Sequence, residues 1–153
     1  MITKNATKHS SAETVGDHQD FDDEDRLITD VTWASNDHSH LLFKQMNRVQ
    51  DHEITSLVTI GSPLNKTTVQ LARRYNPNDG GWIEVSQSMV YVPNNGSSNS
   101  THYIDLADSD EGYLHIAMFT ADNKKPADPI WLTTGEWEVV ANSVIMDVDR
   151  KLM

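Results

Sequence analysis

The chain contains 153 residues, a length that suits one domain of ordinary size. It carries 12 Lys and Arg residues against 23 Asp and Glu residues, a formal net charge of -11. Nucleic acids and anionic membranes bind basic surfaces, so this charge predicts neither as a partner. The absence of cysteine excludes disulfide scaffolds, thiol catalysis and iron–sulfur clusters. We expect no transmembrane segment and no signal peptide, because no apolar run has the required length or flanks.

The first 25 residues are acidic and show no hydrophobic periodicity. They contain seven acidic residues and two lysines, and their scattered apolar side chains form no face that could pack on a core. We therefore predict a polar N-terminal arm over residues 1–25 and a single β domain over residues 26–153. The acidic run is predicted to form an assembly arm that contacts a neighbouring subunit: Asp20, Asp22, Asp23, Glu24 and Asp25.

From Arg26 onward, apolar and polar side chains alternate with period two, which is the pattern of half-buried strands. Glycine, proline and asparagine clusters separate the alternating segments and predict turns between them. The predicted strands are residues 27–34, 41–46, 53–61, 67–75, 82–92, 102–106, 113–121, 129–133, 137–140 and 143–148.

Short strands with a turn every 8–12 residues predict an all-β fold, an antiparallel β-sandwich or a jelly-roll-like domain. One segment has a competing interpretation: over His38–Gln50 the residues Leu41, Leu42, Met46 and Val49 also fit helical spacing. The side chains expected to be buried are Ile83, Val85, Met89, Leu114, Ile116 and Met118.

The sequence offers little support for catalysis. His38 and His40 lie two residues apart and could share a face of a strand, but a zinc site needs a third and a fourth ligand. The acidic turn that begins at Asp108 fails the spacing of a calcium loop, and no Gly-x-Ser-x-Gly elbow occurs. We therefore predict no catalytic residue, no cofactor, no bound metal and no enzymatic activity.

Three aromatic residues near predicted strand ends are candidates for a binding surface. Trp82, Tyr91 and Trp131 could form a protein interface or a platform that stacks on a glycan. The alternative is that these large rings only close the ends of the hydrophobic core. The sequence leaves these interpretations open.

In its general plan, a cysteine-free β domain with a polar arm, the chain resembles small virion structural proteins such as bacteriophage capsid-decorating or tail proteins. The resemblance implies a non-enzymatic assembly protein that contacts subunits of the same or a neighbouring type in a virion. The alternatives are a carbohydrate-binding β-sandwich module and, more weakly, a metal-assisted hydrolase that uses His38 and His40. The alternative to a virion is that the chain is a soluble protein of the cytoplasm.

Overall fold

A computed structural model of the chain describes residues 25–61, 67–75, 81–93, 100–121 and 128–147. These residues form two four-stranded antiparallel sheets. Sheet 1 consists of strands β1 (Arg26–Trp33), β2 (His40–Asn47), β3 (Glu53–Thr59) and β4 (Thr68–Tyr75). Sheet 2 consists of strands β5 (Val90–Val92), β6 (Thr101–Asp108), β7 (Leu114–Ala121) and β8 (Ile130–Trp131).

Each sheet is a meander in which every strand pairs with the next strand along the chain. Short polar turns set this order. Between β1 and β2, Ser39 donates its backbone N–H to the Asp37 carboxylate over 3.0 Å and to the Ser35 hydroxyl over 2.9 Å. Between β2 and β3, Gln50 adopts a left-handed φ of 63°. This backbone conformation is found in turns, where the chain reverses its direction.

The hydrophobic core lies between the two sheets. Leu42 and Leu57 from sheet 1 belong to the same buried cluster as Tyr103, Ala117 and Phe119 from sheet 2. The rings of Tyr103 and Phe119 are stacked with centroids 5.3 Å apart. The core forms here because alternate residues of each strand face the other sheet.

A second apolar cluster lies on the opposite face of sheet 2. Ile104, Leu106 and Ile116 are its buried members. The segment that follows β8 covers them with four side chains: Val139, Ala141, Val144 and Met146. Sheet 2 therefore buries apolar side chains on both faces. A typical antiparallel sheet packs one face on the core and exposes the other to water.

The all-β, antiparallel part of the fold prediction is confirmed, and residues 38–50 form a turn, strand β2 and a second turn in place of the helical alternative. Among the described strands no crossover of the jelly-roll kind occurs, because all hydrogen-bonded neighbours are consecutive. Strand formation over residues 82–92 is confirmed only for β5, and the segments 137–140 and 143–147 form no extended strand, with a single bridge at Asp147. Residue 148, the end of the last predicted strand, lies outside the described residues.

The predicted core is correct in part. Ile83, Met89 and Ile116 are buried, with exposed fractions of 8%, 7% and 9%. Val85 is 48% exposed, because the segment before β5 is irregular and does not continue the alternation of a strand. Leu114 and Met118 are partly buried against the second cluster. None of the described segments is a helix long and apolar enough to cross a membrane.

Candidate functional site

Two oppositely charged side chains meet inside the core, between the two sheets. Lys44 of β2 places its Nζ 2.9 Å from Oδ1 and 2.7 Å from Oδ2 of Asp105 in β6. Both side chains are essentially inaccessible to solvent, at 2% and 0% exposed. The Asp105 carboxylate also accepts a hydrogen bond from the backbone N–H of Leu106. This ion pair is a direct polar link between sheet 1 and sheet 2.

Arg73 and Glu53 extend the pair into a cluster of four charges, two positive and two negative. Arg73 Nη1 lies 3.7 Å from Asp105 Oδ2 and 3.9 Å from Glu53 Oε1. The guanidinium is held by two aromatic rings, 4.5 Å from the centroid of Phe119 and 5.0 Å from that of Tyr75. Such cation–π contacts hold Arg73 in place where the ion-pair distances are too long for hydrogen bonds.

A bulge in sheet 1 brings Arg73 into this cluster. The pairing of β3 with β4 shifts between Thr55 and Ser56, so that Thr55 faces Arg73 and Ser56 faces Leu71. Ala72, the extra residue, belongs to the core cluster. The bulge therefore lets two successive side chains of β4 approach the interior, which regular alternation would prevent.

Burial shifts the pKa values of two groups in the cluster. Burial raises the pKa of Glu53, against the opposing effect of the Lys44 and Arg73 charges. Burial also raises the pKa of Tyr103, which is fully inaccessible to solvent. The Tyr103 hydroxyl has the Thr55 side chain as a polar neighbour, but the two groups lack the geometry of a good hydrogen bond, so Tyr103 remains a neutral phenol in an unfavourable environment.

A cavity of about 260 Å³ opens beside the cluster. Lys44, Glu53 and Arg73 of the cluster line it, and Trp82 lies at its edge. Its other charged lining residues are Glu84, Asp108 and Glu138. The charges of the cluster sum to zero, and its members supply no hydroxyl or thiol nucleophile beside a general base. The arrangement is suited to fixing one sheet against the other rather than to bond cleavage.

The turn before β2 contains serine, histidine and aspartate, but not in a catalytic order. Ser39 Oγ donates to the Asp37 carboxylate over 2.6 Å and lies 2.8 Å from His40 Nδ1. In a catalytic triad the carboxylate binds the imidazole instead of the serine. The hydrogen bond from the Ser39 hydroxyl lowers the pKa of Asp37, which keeps this carboxylate ionised as a turn-stabilising acceptor.

His38 and His40 do not share a strand face as the sequence suggested. His38 lies in the turn with a left-handed φ of 57° and packs edge-on against Trp33, whereas His40 begins β2. Across the described ranges, no group of three His, Asp or Glu side chains is arranged to hold a metal ion.

The structure separates the three aromatic residues of the predicted platform. Tyr91 and Trp131 pack against the core cluster as partly buried rings. Trp82 is 77% exposed and lies beside the cavity at the charged cluster. Of the predicted acidic arm, Asp25 is exposed, and Asp20, Asp22, Asp23 and Glu24 lie outside the described residues.

The charged cluster is the part of the site that sequence reasoning missed. Lys44 lies between Leu42 and Met46 on one strand face, and Asp105 lies between Tyr103 and Ala107. A charged residue at an inward position of an alternating strand is the available signal, because an ion buried there needs a partner. The sequence contains that signal for each residue, but it does not show that the two face each other.

Comparison with known proteins identifies the chain. Residues 2–153 match the family described as the dipeptidyl peptidase IV (DPP IV) N-terminal region. Three fungal relatives bear the name "Probable dipeptidyl-aminopeptidase B". The protein of Coccidioides posadasii is 37% identical over 137 residues, and that of Tuber melanosporum is 40% identical over 137 residues; each alignment covers 88% of this chain. The protein of Fusarium vanettenii is 39% identical over 136 residues, 87% of this chain.

The chain spans only 14% of the length of each of these relatives. The relatives are fungal proteins that carry the name of a peptidase, so the prediction of a bacteriophage virion component is wrong in both function and location. The prediction of no enzymatic activity is contradicted as well, because the chain is homologous to a region of proteins that carry the name of a peptidase. The carbohydrate-binding and metal-assisted alternatives fall with them.

The resemblance to virion structural proteins was misleading because it used only features that many β proteins share. These features are short strands, a polar arm and no cysteine. The family match instead uses the order of residues along nearly the whole chain. The chain belongs to the dipeptidyl peptidase IV N-terminal region family.

Proposed function

We propose that the chain is part of a dipeptidyl-aminopeptidase, an enzyme that releases dipeptides from the amino terminus of peptides, and that its two sheets are neighbouring blades of a β-propeller. The family match over residues 2–153 is the observation that carries the proposal. The topology supports it, because a propeller blade is a four-stranded sheet and here two such sheets follow one another along the chain.

The first strands of the two sheets lie side by side, which favours blades over a closed sandwich. β1 contacts β5, and the backbone N–H of Met89, next to β5, donates to Asp30 Oδ2 of β1 over 3.0 Å. In a propeller the blades are arranged radially around a central channel. The adjacent strands β1 and β5 would then lie nearest that channel.

The outer face of sheet 1 is apolar and has open positions. Val31 pairs with Phe43 and Trp33 pairs with Leu41, so these four share the face opposite Leu42. Val31 is 54% exposed and Trp33 is 48% exposed. A contiguous apolar surface of this kind marks an interface, and a preceding blade would cover it.

The far side of sheet 2 shows the same property. The segment that covers it turns Val139, Ala141 and Val144 inward, while Val140 and Ile145 are 75% and 81% exposed. A following blade would bury these two side chains. The buried ion pair between Lys44 and Asp105 then fixes the angle between the two blades in this span.

An assay of the native protein tests the proposal. Protein immunopurified from its source with an antibody raised against this chain is incubated with a panel of dipeptidyl p-nitroanilides. Release of p-nitroaniline from substrates with a free amino terminus is expected, and release from the matched N-acetylated dipeptides or from single aminoacyl p-nitroanilides is not. Equal cleavage of the acetylated substrates, or no cleavage of the panel, would contradict the proposal.

A further inference from the structure

A second cavity, of about 420 Å³, lies at the end of sheet 2 where β6 turns into β7. It opens between the turn that joins β6 to β7 and the segment that follows β8. Its floor consists of Tyr113, His115 and Trp131. The volume falls in the range of small-molecule and side-chain pockets, roughly 300–1,000 Å³.

The floor of this cavity is rigid. His115 is 1% exposed; its Nε2 donates to the backbone oxygen of Gly135 over 3.0 Å, and its Nδ1 accepts from the Thr133 hydroxyl over 3.2 Å. The Trp131 and Trp137 rings both meet the imidazole edge-on, with centroids 6.5 Å and 5.2 Å away. The aromatic surface is thus held in position before any ligand arrives.

The rim of the cavity is acidic. Asp110, Glu111 and Glu136 line it from both sides and are exposed, and none of the described residues that line it is a lysine or an arginine. An aromatic floor below carboxylates, with no competing cation, complements a positively charged group in both surface and charge.

We propose that this cavity binds an arginine side chain of a partner polypeptide. The planar guanidinium stacks on aromatic faces and donates paired hydrogen bonds to carboxylates, which suits the floor and the rim together. A lysine ammonium offers only a compact charge and uses the floor less well. The proposal concerns a surface outside the charged cluster, and it holds whether or not the protein proves to be a dipeptidyl-aminopeptidase.

The test is a titration of the 15N-labelled chain, observed through the Trp131 indole resonance. The probes are Ac-Gly-Arg-Gly-NH2, the uncharged isostere with citrulline in place of arginine, and the lysine peptide. Saturable binding of the arginine peptide is expected, with a dissociation constant on the order of 1 mM for a contact of this size. The citrulline peptide should bind at least about fivefold more weakly, and the lysine peptide about twofold more weakly.

Variants assign the effect to the cavity. Glu136→Gln and Asp110→Asn should each weaken the arginine peptide about two- to fivefold, the range for exposed ion pairs. Glu84→Gln, which removes an exposed carboxylate outside this cavity, should change nothing, and circular dichroism checks that each variant is folded. Equal binding of the arginine and citrulline peptides, tighter binding of the lysine peptide, no binding at all, or insensitivity to both rim variants would overturn the proposal.

Discussion

Lys44 Nζ lies within 2.9 Å of both carboxylate oxygens of Asp105, a residue 61 positions further along the chain and in the other sheet. Both side chains are buried, so neither charge has water as an alternative partner. Breaking such a pair leaves one uncompensated charge in the interior, whereas replacing both members with apolar residues removes that cost. The packing of the two sheets therefore depends on the pairing of these two charges.

We expect Asp105→Ala to lower the free energy of unfolding by about 3–5 kcal/mol, because Lys44 is then buried without its partner. The double variant Lys44→Met with Asp105→Leu should recover most of this loss. Urea unfolding of the chain, followed by circular dichroism, measures both. Asp128→Asn, at an exposed position outside both cavities, is the control and should stay within about 0.5 kcal/mol of the parent chain. A double variant as unstable as Asp105→Ala would show that the charges themselves stabilise the fold.

Glu53 should make stability depend on pH. Burial raises its pKa in the folded chain above the ordinary value of 4.5, so the folded state holds the proton more tightly than the unfolded state does. The stability contributed by this group therefore falls as the pH rises from 4.5 through the folded-state pKa, by up to about 1.4 kcal/mol for each unit of the shift. The charged groups that face Glu53 are Lys44, Arg73, Asp105 and Asp30.

Glu53→Gln, which cannot titrate, isolates this contribution. The stability of the parent chain relative to Glu53→Gln, measured in urea at several values from about pH 4.5 to about pH 8, is expected to decrease with pH. An increase with pH would mean that Lys44 and Arg73 outweigh burial and hold the carboxylate ionised.

Tyr103→Phe should raise the stability of the chain. The Tyr103 hydroxyl is buried beside the Thr55 side chain, but the two groups lack the geometry of a good hydrogen bond. Removing a poorly satisfied polar group relieves its desolvation cost, about 1 kcal/mol or more. Tyr91→Phe is the matched control at a partly buried position and should have an effect below about 0.5 kcal/mol. Thermal unfolding of both variants measures the difference, and a loss of stability in Tyr103→Phe would reveal a partner for the hydroxyl.

Two glycines with positive φ form a matched pair at the end of sheet 2. A Cβ at Gly135, where φ is 125°, would lie 2.8 Å from Trp137 Nε1, whereas a Cβ at Gly112, where φ is 84°, would meet nothing within 4 Å. Gly112→Ala should cost about 1–2 kcal/mol from backbone strain alone. Gly135→Ala should cost more, about 2–4 kcal/mol, because the clash adds to the strain. Equal costs in urea unfolding would mean that Trp137 moves aside freely.

The sequence predicts the strands well where the core decides the pattern. The alternation over residues 113–121 separates Leu114, Ile116 and Met118 from His115 and Phe119, and the structure places the first three in one apolar cluster and Phe119 in the other. Over residues 82–89 the same alternation fails, because a short irregular segment can bury Ile83 and Met89 without forming a strand. The alternation of apolar residues indicates which side chains are buried. Whether the segment is also a strand depends on whether its backbone pairs with a neighbouring strand.

The charged cluster could not be predicted in full, because its members belong to four strands. Lys44, Glu53, Arg73 and Asp105 come together only through the packing of the two sheets and the bulge at Ala72. The sequence likewise does not show how many sheets the complete fold contains, because two four-stranded meanders occur both in sandwiches and in propellers. The family follows from the similarity of this sequence to known proteins, and the fold alone does not show it.

The central claim, that the two sheets are adjacent propeller blades, is tested most directly by an electron cryomicroscopy structure of the protein immunopurified from its source. The account predicts that further four-stranded sheets cover both open faces, burying Trp33 on one side and Val140 on the other, with β1 and β5 next to a shared channel. A structure in which sheets 1 and 2 form a separate sandwich, with Trp33 and Val140 still exposed to solvent, would contradict it.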